Sequence, residues 1–257
     1  MAALVFILGL CFGSFLTLVS YRLPRGERIG MTRSACPSCH TPLGAPDLLP
    51  VLSWLWFRAA CRHCRKPVSW RYPAIELVTA AALLCVYYVH GVQGGGLLLI
   101  ALTLCLLVMM IVDFEHYIIP DEIQIAVGVL AVIYHLNFGL HPASMLAGGI
   151  AGGLIGWAMQ QGYRWSRKRD GLGTGDVKFL VVAGLWVGAP ALMPLLFFSG
   201  LLGIGTAALW RCLGRGALFP FGPALALSLW ILLLWPHVVD MFFGWPNAVA
   251  QWLLNNT

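Results

Sequence analysis

Two aspartates have positions that indicate acid–base chemistry. Asp113 follows an uninterrupted apolar run over residues 97–112, and Asp176 ends the string Gly173-Thr174-Gly175-Asp176. An ionisable side chain beside such a run is costly to bury and usually serves a function. Two carboxylates held close together share one proton, so the ionised partner can deprotonate water while the protonated one polarises a peptide carbonyl. The pattern predicts hydrolysis of a peptide bond by Asp113 and Asp176.

Other roles for these acids stay open. Asp176 alone is also explained as a helix N-cap, a position where Asp is common. Asp121 directly follows Pro120 and either caps the next helix or acts as the partner of Asp176. Lys178 either steers a carboxylate or extends its ammonium group to the surface, and the second role is favoured. The alternative partners for Asp176 are Glu115, Asp121 and Glu122.

Four of the eight cysteines form two C-x-x-C pairs separated by 21 residues. This spacing is typical of a site in which four thiolates enclose one Zn²⁺ tetrahedrally. A loop of this size with few core-forming runs would gain its fold largely from the metal. The predicted zinc ligands are Cys36, Cys39, Cys61 and Cys64.

Other interpretations of the cysteines are weaker. The string C-x-x-C-H, which ends at His40, is also the haem-attachment motif. Haem attachment takes place outside the cytoplasm, whereas the distribution of basic residues places this loop in the cytoplasm. A redox pair needs a βαβ context, and disulfides are rare in a reducing cytosol. His40 and His63 are therefore predicted to be surface residues beside the metal. The remaining cysteines are predicted to be small core residues: Cys11, Cys85, Cys105 and Cys212.

The composition requires lipid as the main solvent. Hydrophobic residues make up 60% of the 257 residues and charged residues 10%, against about 25% charged in an average soluble domain. We predict an all-α fold, a polytopic integral membrane helical bundle with a small cytoplasmic zinc-binding module. The predicted transmembrane helices, about 20 residues each, are 2–20, 74–92, 96–113, 122–137, 143–162, 177–189, 191–210 and 221–243.

The basic residues predict the orientation of this bundle. All sixteen Lys and Arg lie in residues 22–71, 164–178 and 211–215. Counting eight crossings places the three stretches on one side, which the positive-inside rule makes cytoplasmic. The first span is expected to be a retained anchor and not a cleaved signal peptide, because the positive charge follows it. Basic loops beside spans are topogenic signals, so we expect no nucleic-acid partner.

The predicted organisation has four parts. Residues 1–20 form the first transmembrane helix, and residues 21–73 form the cytoplasmic zinc-ribbon-like module. Residues 74–243 form the transmembrane domain with the aspartates, and residues 244–257 form an interfacial C-terminal tail with tryptophans at headgroup level. The fifth span carries small residues at four-residue spacing, which lets a neighbouring helix approach closely. These residues are Gly148, Gly149, Gly152, Gly153 and Gly156.

The chain resembles the type IV prepilin peptidase and N-methyltransferase family, the prepilin leader peptidases, along nearly its whole length. The resemblance rests on ordered strings that surround the cysteines and the aspartates. They are Gly13-Ser14-Phe15-Leu16, Tyr21-Arg22-Leu23-Pro24, Arg33-Ser34-Ala35-Cys36-Pro37-Ser38-Cys39, Asp47-Leu48-Leu49-Pro50, Leu52-Ser53-Trp54, the second cysteine pair, Arg71-Tyr72-Pro73 with Glu76, the two aspartate strings, and Phe219-Pro220-Phe221-Gly222-Pro223.

The resemblance implies a bifunctional enzyme of the bacterial inner membrane, a membrane aspartyl protease of the GxGD type. Its substrates would be prepilins and type II secretion pseudopilins, whose short basic leader is cut after a glycine on the cytoplasmic side. The new N-terminal residue, usually Phe, would then be methylated with S-adenosylmethionine. The family's catalytic aspartates correspond to Asp113 and Asp176, and its four zinc cysteines correspond to the predicted ligands. No glycine-rich nucleotide fingerprint is visible, so the sequence does not place the methyl donor.

One departure from the family's pattern concerns the methyl-transfer half. Members commonly carry glycine two positions before the third cysteine, and this chain has Ala59. The alternative function is therefore a leader peptidase in which methyl transfer is weak or absent. Two other classes compete: a transporter that uses buried acids as an ion relay, and a membrane-tethered zinc module that acts as an assembly scaffold.

Overall fold

The computed structural model describes residues 1–30, 33–138, 142–168, 171–214 and 219–236. In these ranges the regular structure is helical, without any β-strand longer than an isolated bridge. The chain divides into two compact units, Met1–Val108 and Met109–Thr257. The all-α prediction is confirmed.

The first unit is built on two helices that pack at backbone distance. These are α1 (Ala2–Arg22) and α3 (Arg71–His90), and between them in the chain lies the short α2 (Leu52–Trp56). A Cβ atom added at Gly9 would lie 2.6 Å from the Cα of Ala80, and one added at Gly13 would lie 2.5 Å from the Cα of Glu76. Glycines on α1 therefore remove the side chains that would keep α3 away. The next helix, α4 (Gly95–His116), begins in this unit and ends in the second.

In the second unit, the short helix α7 packs against three other helices. After α4 come α5 (Asp121–Phe138), α6 (Pro142–Arg167), α7 (Thr174–Val187), α8 (Leu192–Cys212) and α9 (Gly222–Leu234). Helix α7 contacts α5, α6 and α9. Four of its apolar side chains are at most 1% exposed: Phe179, Leu180, Trp186 and Val187.

The glycines of α6 pack against α7, as predicted. A Cβ at Gly148 would clash with the carbonyl oxygen of Gly184, and one at Gly152 would clash with the carbonyl oxygen of Leu180. A Cβ at Gly156 would lie 3.3 Å from the Cα of Val177, a less close approach. The small-residue row of the fifth predicted span therefore lets α6 approach the backbone of the helix that carries Asp176.

All eight predicted spans correspond to helices in the described part of the chain. Five segments are long and apolar enough to cross a membrane by length and composition: Ala2–Arg25, Arg71–His90, Gly95–His116, Pro142–Ser166 and Leu192–Cys212. The described part of α9 is a shorter apolar helix. Helices α5 and α7 are outside that set, so the polytopic membrane class is confirmed and the number of eight crossings stays a prediction.

The helix of the last predicted span ends earlier than the sequence predicted. Helix α9 ends at Leu234, whereas the sequence predicted a helix to residue 243. The helix ends here because Pro236 disfavours the helical conformation in the residue that precedes it. That residue, Trp235, has non-helical backbone angles of φ −127° and ψ 70°. Residues 237–257, which include the predicted interfacial tail 244–257, lie outside the described residues.

Candidate active site and metal centre

Asp113 and Asp176 line the same cavity in the second unit. The cavity has a volume of about 450 Å³ and is enclosed by the end of α4, the start of α5 and the start of α7. The sequence predicted this pairing of two residues 63 positions apart, and the structure brings them together. The alternative partner Glu115 is not a lining residue. The lining residues are Asp113, Tyr117, Ile118, Ile119, Asp121, Glu122, Gly173, Thr174, Gly175, Asp176 and Lys178.

Asp113 lies in the last turn of α4 and is held by the first turn of α9. Its side chain is buried, and its Oδ2 accepts a hydrogen bond of 2.9 Å from the backbone N–H of Gly222. A Cβ at position 222 would lie 2.7 Å from the same oxygen. A side chain at position 222 would therefore displace the carboxylate or α9. The helix N-terminus favours negative charge at this oxygen.

The role of Gly222 was missed by the sequence reasoning. The string Phe219-Pro220-Phe221-Gly222-Pro223 entered only as part of the family resemblance. Its Gly-Pro pair is a signal for a helix start, because proline is favoured in the first turn of a helix. Nothing in local spacing connects that start to a carboxylate 109 residues earlier.

Asp176 lies at the third position of α7 and caps the helix from inside. The N-cap residue is Gly173, and the Oδ2 of Asp176 accepts a 3.1 Å hydrogen bond from the Gly173 N–H. The N-cap interpretation of Asp176 is therefore wrong in position, because the residue occupies the carboxylate place of a capping box. Capping uses one carboxylate oxygen of the half-buried Asp176 side chain and leaves the other oxygen for the cavity. Asp176 can therefore cap α7 and take part in chemistry in the cavity.

Asp121 is engaged by Lys178 across the cavity rim. The Nζ of Lys178 donates to both carboxylate oxygens of Asp121 at 2.8 Å. Lys178 is exposed, as expected, and it also contacts a carboxylate, which was the less favoured of its two predicted roles. Both side chains are more than half exposed, so the pair adds little to stability. A carboxylate that faces an ammonium group is a poor candidate to share a proton with Asp176, which favours Asp113 as the partner.

The four predicted metal ligands form one cluster in the first unit. The Sγ atoms of the four cysteines lie within 4.8 Å of one another, and those of Cys36 and Cys64 are 3.9 Å apart. A tetrahedral zinc site with Zn–S bonds of about 2.3 Å requires sulfur atoms about 3.8 Å apart. The residues therefore fit a metal ion. His40 and His63 are not part of the cluster.

The two cysteine pairs are structural repeats of each other. Each follows the pattern C-x-x-C-x-x-P, and isolated bridges close them at Ala35–Pro42 and Ala60–Pro67. In both repeats the fourth residue after the first cysteine donates its N–H to that cysteine's carbonyl at 2.9 Å and has a positive φ, 55° for His40 and 59° for Arg65. The prolines at identical spacing are the sequence signal for this repeat, and the sequence reasoning missed it.

Hydrogen bonds favour the thiolate form at two cysteines of the cluster, Cys39 and Cys61. Cys39 Sγ and Thr41 Oγ1 are 3.3 Å apart, and the bonds from Thr41 lower the pKa of Cys39 to about 6. The backbone N–H of Cys64 lowers the pKa of Cys61. Burial and the three neighbouring cysteines raise the pKa of Cys64 to about 11. Metal ligation requires the thiolate form of cysteine, so Cys39 and Cys61 are the cysteines of the cluster whose hydrogen bonds prepare them for a metal.

Ala59 occupies a backbone conformation that favours glycine. Its φ is 55°, and such a left-handed conformation costs a residue with a Cβ about 1–2 kcal/mol. We expect Ala59→Gly to raise the free energy of unfolding by about 1 kcal/mol, measured as a higher midpoint of thermal unfolding. The matched control is Ala60→Gly. Ala60 has no positive φ, so glycine at this position should lower the free energy of unfolding by about 0.5–1 kcal/mol. Equal shifts for the two variants would contradict this account.

The contact of Gly222 with Asp113 predicts a sensitive position remote from the two aspartates in sequence. In Gly222→Ala the added methyl group would displace either α9 or the carboxylate, and we expect leader cleavage to fall about 100-fold. The control is Gly205→Ala on α8, where an added Cβ meets nothing within 4 Å. Cleavage rates measured on the same membranes should separate the variants. Normal activity of Gly222→Ala would show that this contact is dispensable.

The fold and the cavity define a class of protein. It is a polytopic membrane protein with the paired carboxylates of an aspartyl peptidase and a cluster of four cysteines. The model of the Bacterial Peptidase A24 N-terminal domain matches residues 7–90, and that of the Type IV leader peptidase family matches residues 100–208. The chain belongs to the prepilin leader peptidase family.

Two relatives illustrate how much of the chain this similarity covers. The chain is 31% identical to the Prepilin leader peptidase/N-methyltransferase of Aeromonas hydrophila over 283 residues, 99% of this chain and 94% of that relative. It is 32% identical to the protein of the same name from Neisseria gonorrhoeae over 254 residues, 88% of this chain and 87% of that relative. No solved structure matches the chain.

Proposed function

We propose that the chain removes the short basic leader of type IV prepilins and type II secretion pseudopilins and then N-methylates the new N-terminal residue. The single observation that carries the peptidase half is the cavity shared by Asp113 and Asp176. The cavity lies where α4 ends and where α5 and α7 begin. A prepilin has its cleavage site where its own apolar helix ends. The relatives' names support both activities.

The geometry supports the following division of roles in cleavage. One proton is shared by Asp113 and Asp176. The ionised carboxylate takes a proton from water as the water oxygen attacks the peptide carbon, and the protonated carboxylate donates to the carbonyl oxygen. Proton transfer to the nitrogen then releases the amine as the C–N bond breaks. The N–H groups of Gly173 and Gly222 each hold one carboxylate oxygen in place.

We assign the methyl-transfer half to the first unit, in particular to residues 21–73 and their junction with the flanking helices. The four cysteines would hold Zn²⁺, which would fix the two knuckles in one fold. S-adenosylmethionine would supply the methyl group as a co-substrate. The separate match of an N-terminal domain to residues 7–90 supports this division.

We also propose a location in the bacterial inner membrane with the cavity and the module facing the cytoplasm. The argument remains the distribution of basic residues, which lie in three stretches beside predicted spans. In the described helices the acids of the second unit lie in terminal turns: Asp113 and Glu115 at the end of α4, Asp121 and Glu122 at the start of α5, and Asp176 at the start of α7. An ion relay would need acids at mid-bilayer, so this distribution favours the peptidase.

A mass measurement of a co-expressed prepilin tests both halves at once. We expect the recovered pilin to lack its leader and to carry the additional mass of one methyl group. An uncut precursor in membranes that contain the protein would contradict the peptidase. A cut but unmethylated pilin would support the alternative, a leader peptidase with weak or absent methyl transfer.

A further inference from the structure

Glu76 is a buried carboxylate that the cleavage mechanism does not use. It lies in the second turn of α3, is 6% exposed, and packs where Gly13 brings α1 closest. Ionisable groups inside apolar helices are costly and usually functional. The carboxylate accepts hydrogen bonds from the Ser14 side chain and from the backbone N–H of Val51, the latter at 2.7 Å. Glu76 therefore connects α3 to the loop that precedes α2.

The residue that Glu76 holds has a strained backbone. Val51 has φ 61° and ψ −47°, and positive φ in a β-branched residue is a rare and unfavourable conformation. Such strain persists only where the surrounding structure enforces it. The Val51 N–H donates to Glu76 Oε2, and the Leu52 N–H donates to the carbonyl of Pro50 across the same residue. The carboxylate therefore ties this strained turn to α3.

The strained residue controls a segment that reaches the metal cluster. Val51 is the N-cap of α2, and from α2 the indole Nε1 of Trp54 donates to the carbonyl of Val68 at 3.0 Å. The N–H of Ala59 donates to the carbonyl of Trp54 at 2.8 Å, and the N–H of Val68 donates to the carbonyl of Ala59 at 2.7 Å. Ala59 and Val68 flank the second cysteine knuckle directly. A continuous path of contacts thus leads from Glu76 through α2 to the cysteines.

We infer that Glu76 is a positioning residue for methyl transfer, which fixes α2 and the second cysteine knuckle against α1 and α3 by holding Val51 in its positive-φ conformation. The inference rests on the proposed function, in which the first unit performs methyl transfer. In this role, residue 76 needs a side chain as long as that of glutamate with an oxygen that accepts a hydrogen bond. The role does not need a negative charge.

A pair of conservative variants separates acceptor length from charge. Glu76→Gln keeps the side-chain length and an oxygen that can accept from Val51, whereas Glu76→Asp keeps the charge but is one methylene too short. We expect methylation by Glu76→Gln to stay within about threefold of wild type and methylation by Glu76→Asp to fall about tenfold or more. Leader cleavage and zinc content should be unchanged in both variants.

A second substitution tests the mechanism directly. Glycine adopts positive φ without strain, so Val51→Gly should remove the need for the hydrogen bond. In the Glu76→Asp background it should return methylation to within about threefold of wild type. The readout is the mass of a co-expressed pilin, which reports cleavage and methylation together, with zinc measured on the purified protein.

Three results would overturn the inference. They are methylation lost in Glu76→Gln but kept in Glu76→Asp, no recovery on adding Val51→Gly, or an equal fall in cleavage and methylation in Glu76→Asp. Failure of the proposed function looks different, because wild-type protein would then leave the pilin unmethylated or uncut. The wild-type sample in each series makes that distinction.

Discussion

Asp113→Asn and Asp176→Asn should each reduce leader cleavage by about a thousandfold, because general acid–base groups contribute on that scale. Asparagine has nearly the shape of aspartate, and its oxygen can still accept from Gly222 or Gly173, so both variants should insert and fold. Loss of either carboxylate removes the shared proton and with it the mechanism. The measurement is the rate of conversion of a prepilin in membranes that contain equal amounts of each variant.

The double variant is a sharper test of the pairing. Groups that act as one unit have effects that do not add, so Asp113→Asn with Asp176→Asn should be no slower than either single variant. The control is Asp121→Asn, which removes a carboxylate from the same cavity, where it is bound to Lys178. We expect that control to keep cleavage within about tenfold of wild type. Normal cleavage by Asp113→Asn would remove Asp113 from the mechanism. Loss of cleavage in Asp121→Asn together with normal cleavage by Asp113→Asn would transfer the catalytic role to Asp121.

The helices and the two clusters could be predicted from sequence for a physical reason. In lipid every spanning segment must satisfy its own backbone hydrogen bonds, so apolar runs between polar loops become helices whatever their neighbours are. The spacing of the cysteines carries the geometry of a tetrahedral ligand set within a short segment. The aspartates were paired from their places at the ends of apolar runs, and the shared cavity agrees with that pairing.

The contacts that hold these groups could not be predicted in the same way. The N–H of Gly222 that binds Asp113 and the Lys178 side chain that binds Asp121 come from distant parts of the chain. Such pairs depend on how helices pack, which local spacing does not encode. The positive φ values of Val51 and Ala59 were also missed, because neither residue type signals that conformation.

Removal of the metal should abolish methylation and leave cleavage intact. Structural zinc sites contribute about 10–16 kcal/mol of binding free energy in small domains, more than the whole stability of a typical domain. Cys61→Ser removes one ligand and should therefore release the metal and unfold the two knuckles. We expect one zinc per wild-type chain and none in the variant by elemental analysis, with the methyl group lost from the pilin mass.

Cleavage should survive because Asp113 and Asp176 lie in the other compact unit. The matched control is Cys11→Ser, a cysteine of the same unit that is exposed and outside the cluster, and it should keep zinc, cleavage and methylation. Full methylation by a zinc-free Cys61→Ser protein would show that the module needs no metal. An equal loss of cleavage and methylation would instead show that the metal maintains the fold on which both activities depend, since a metal that serves one unit alone cannot affect a carboxylate pair held by Gly173 and Gly222.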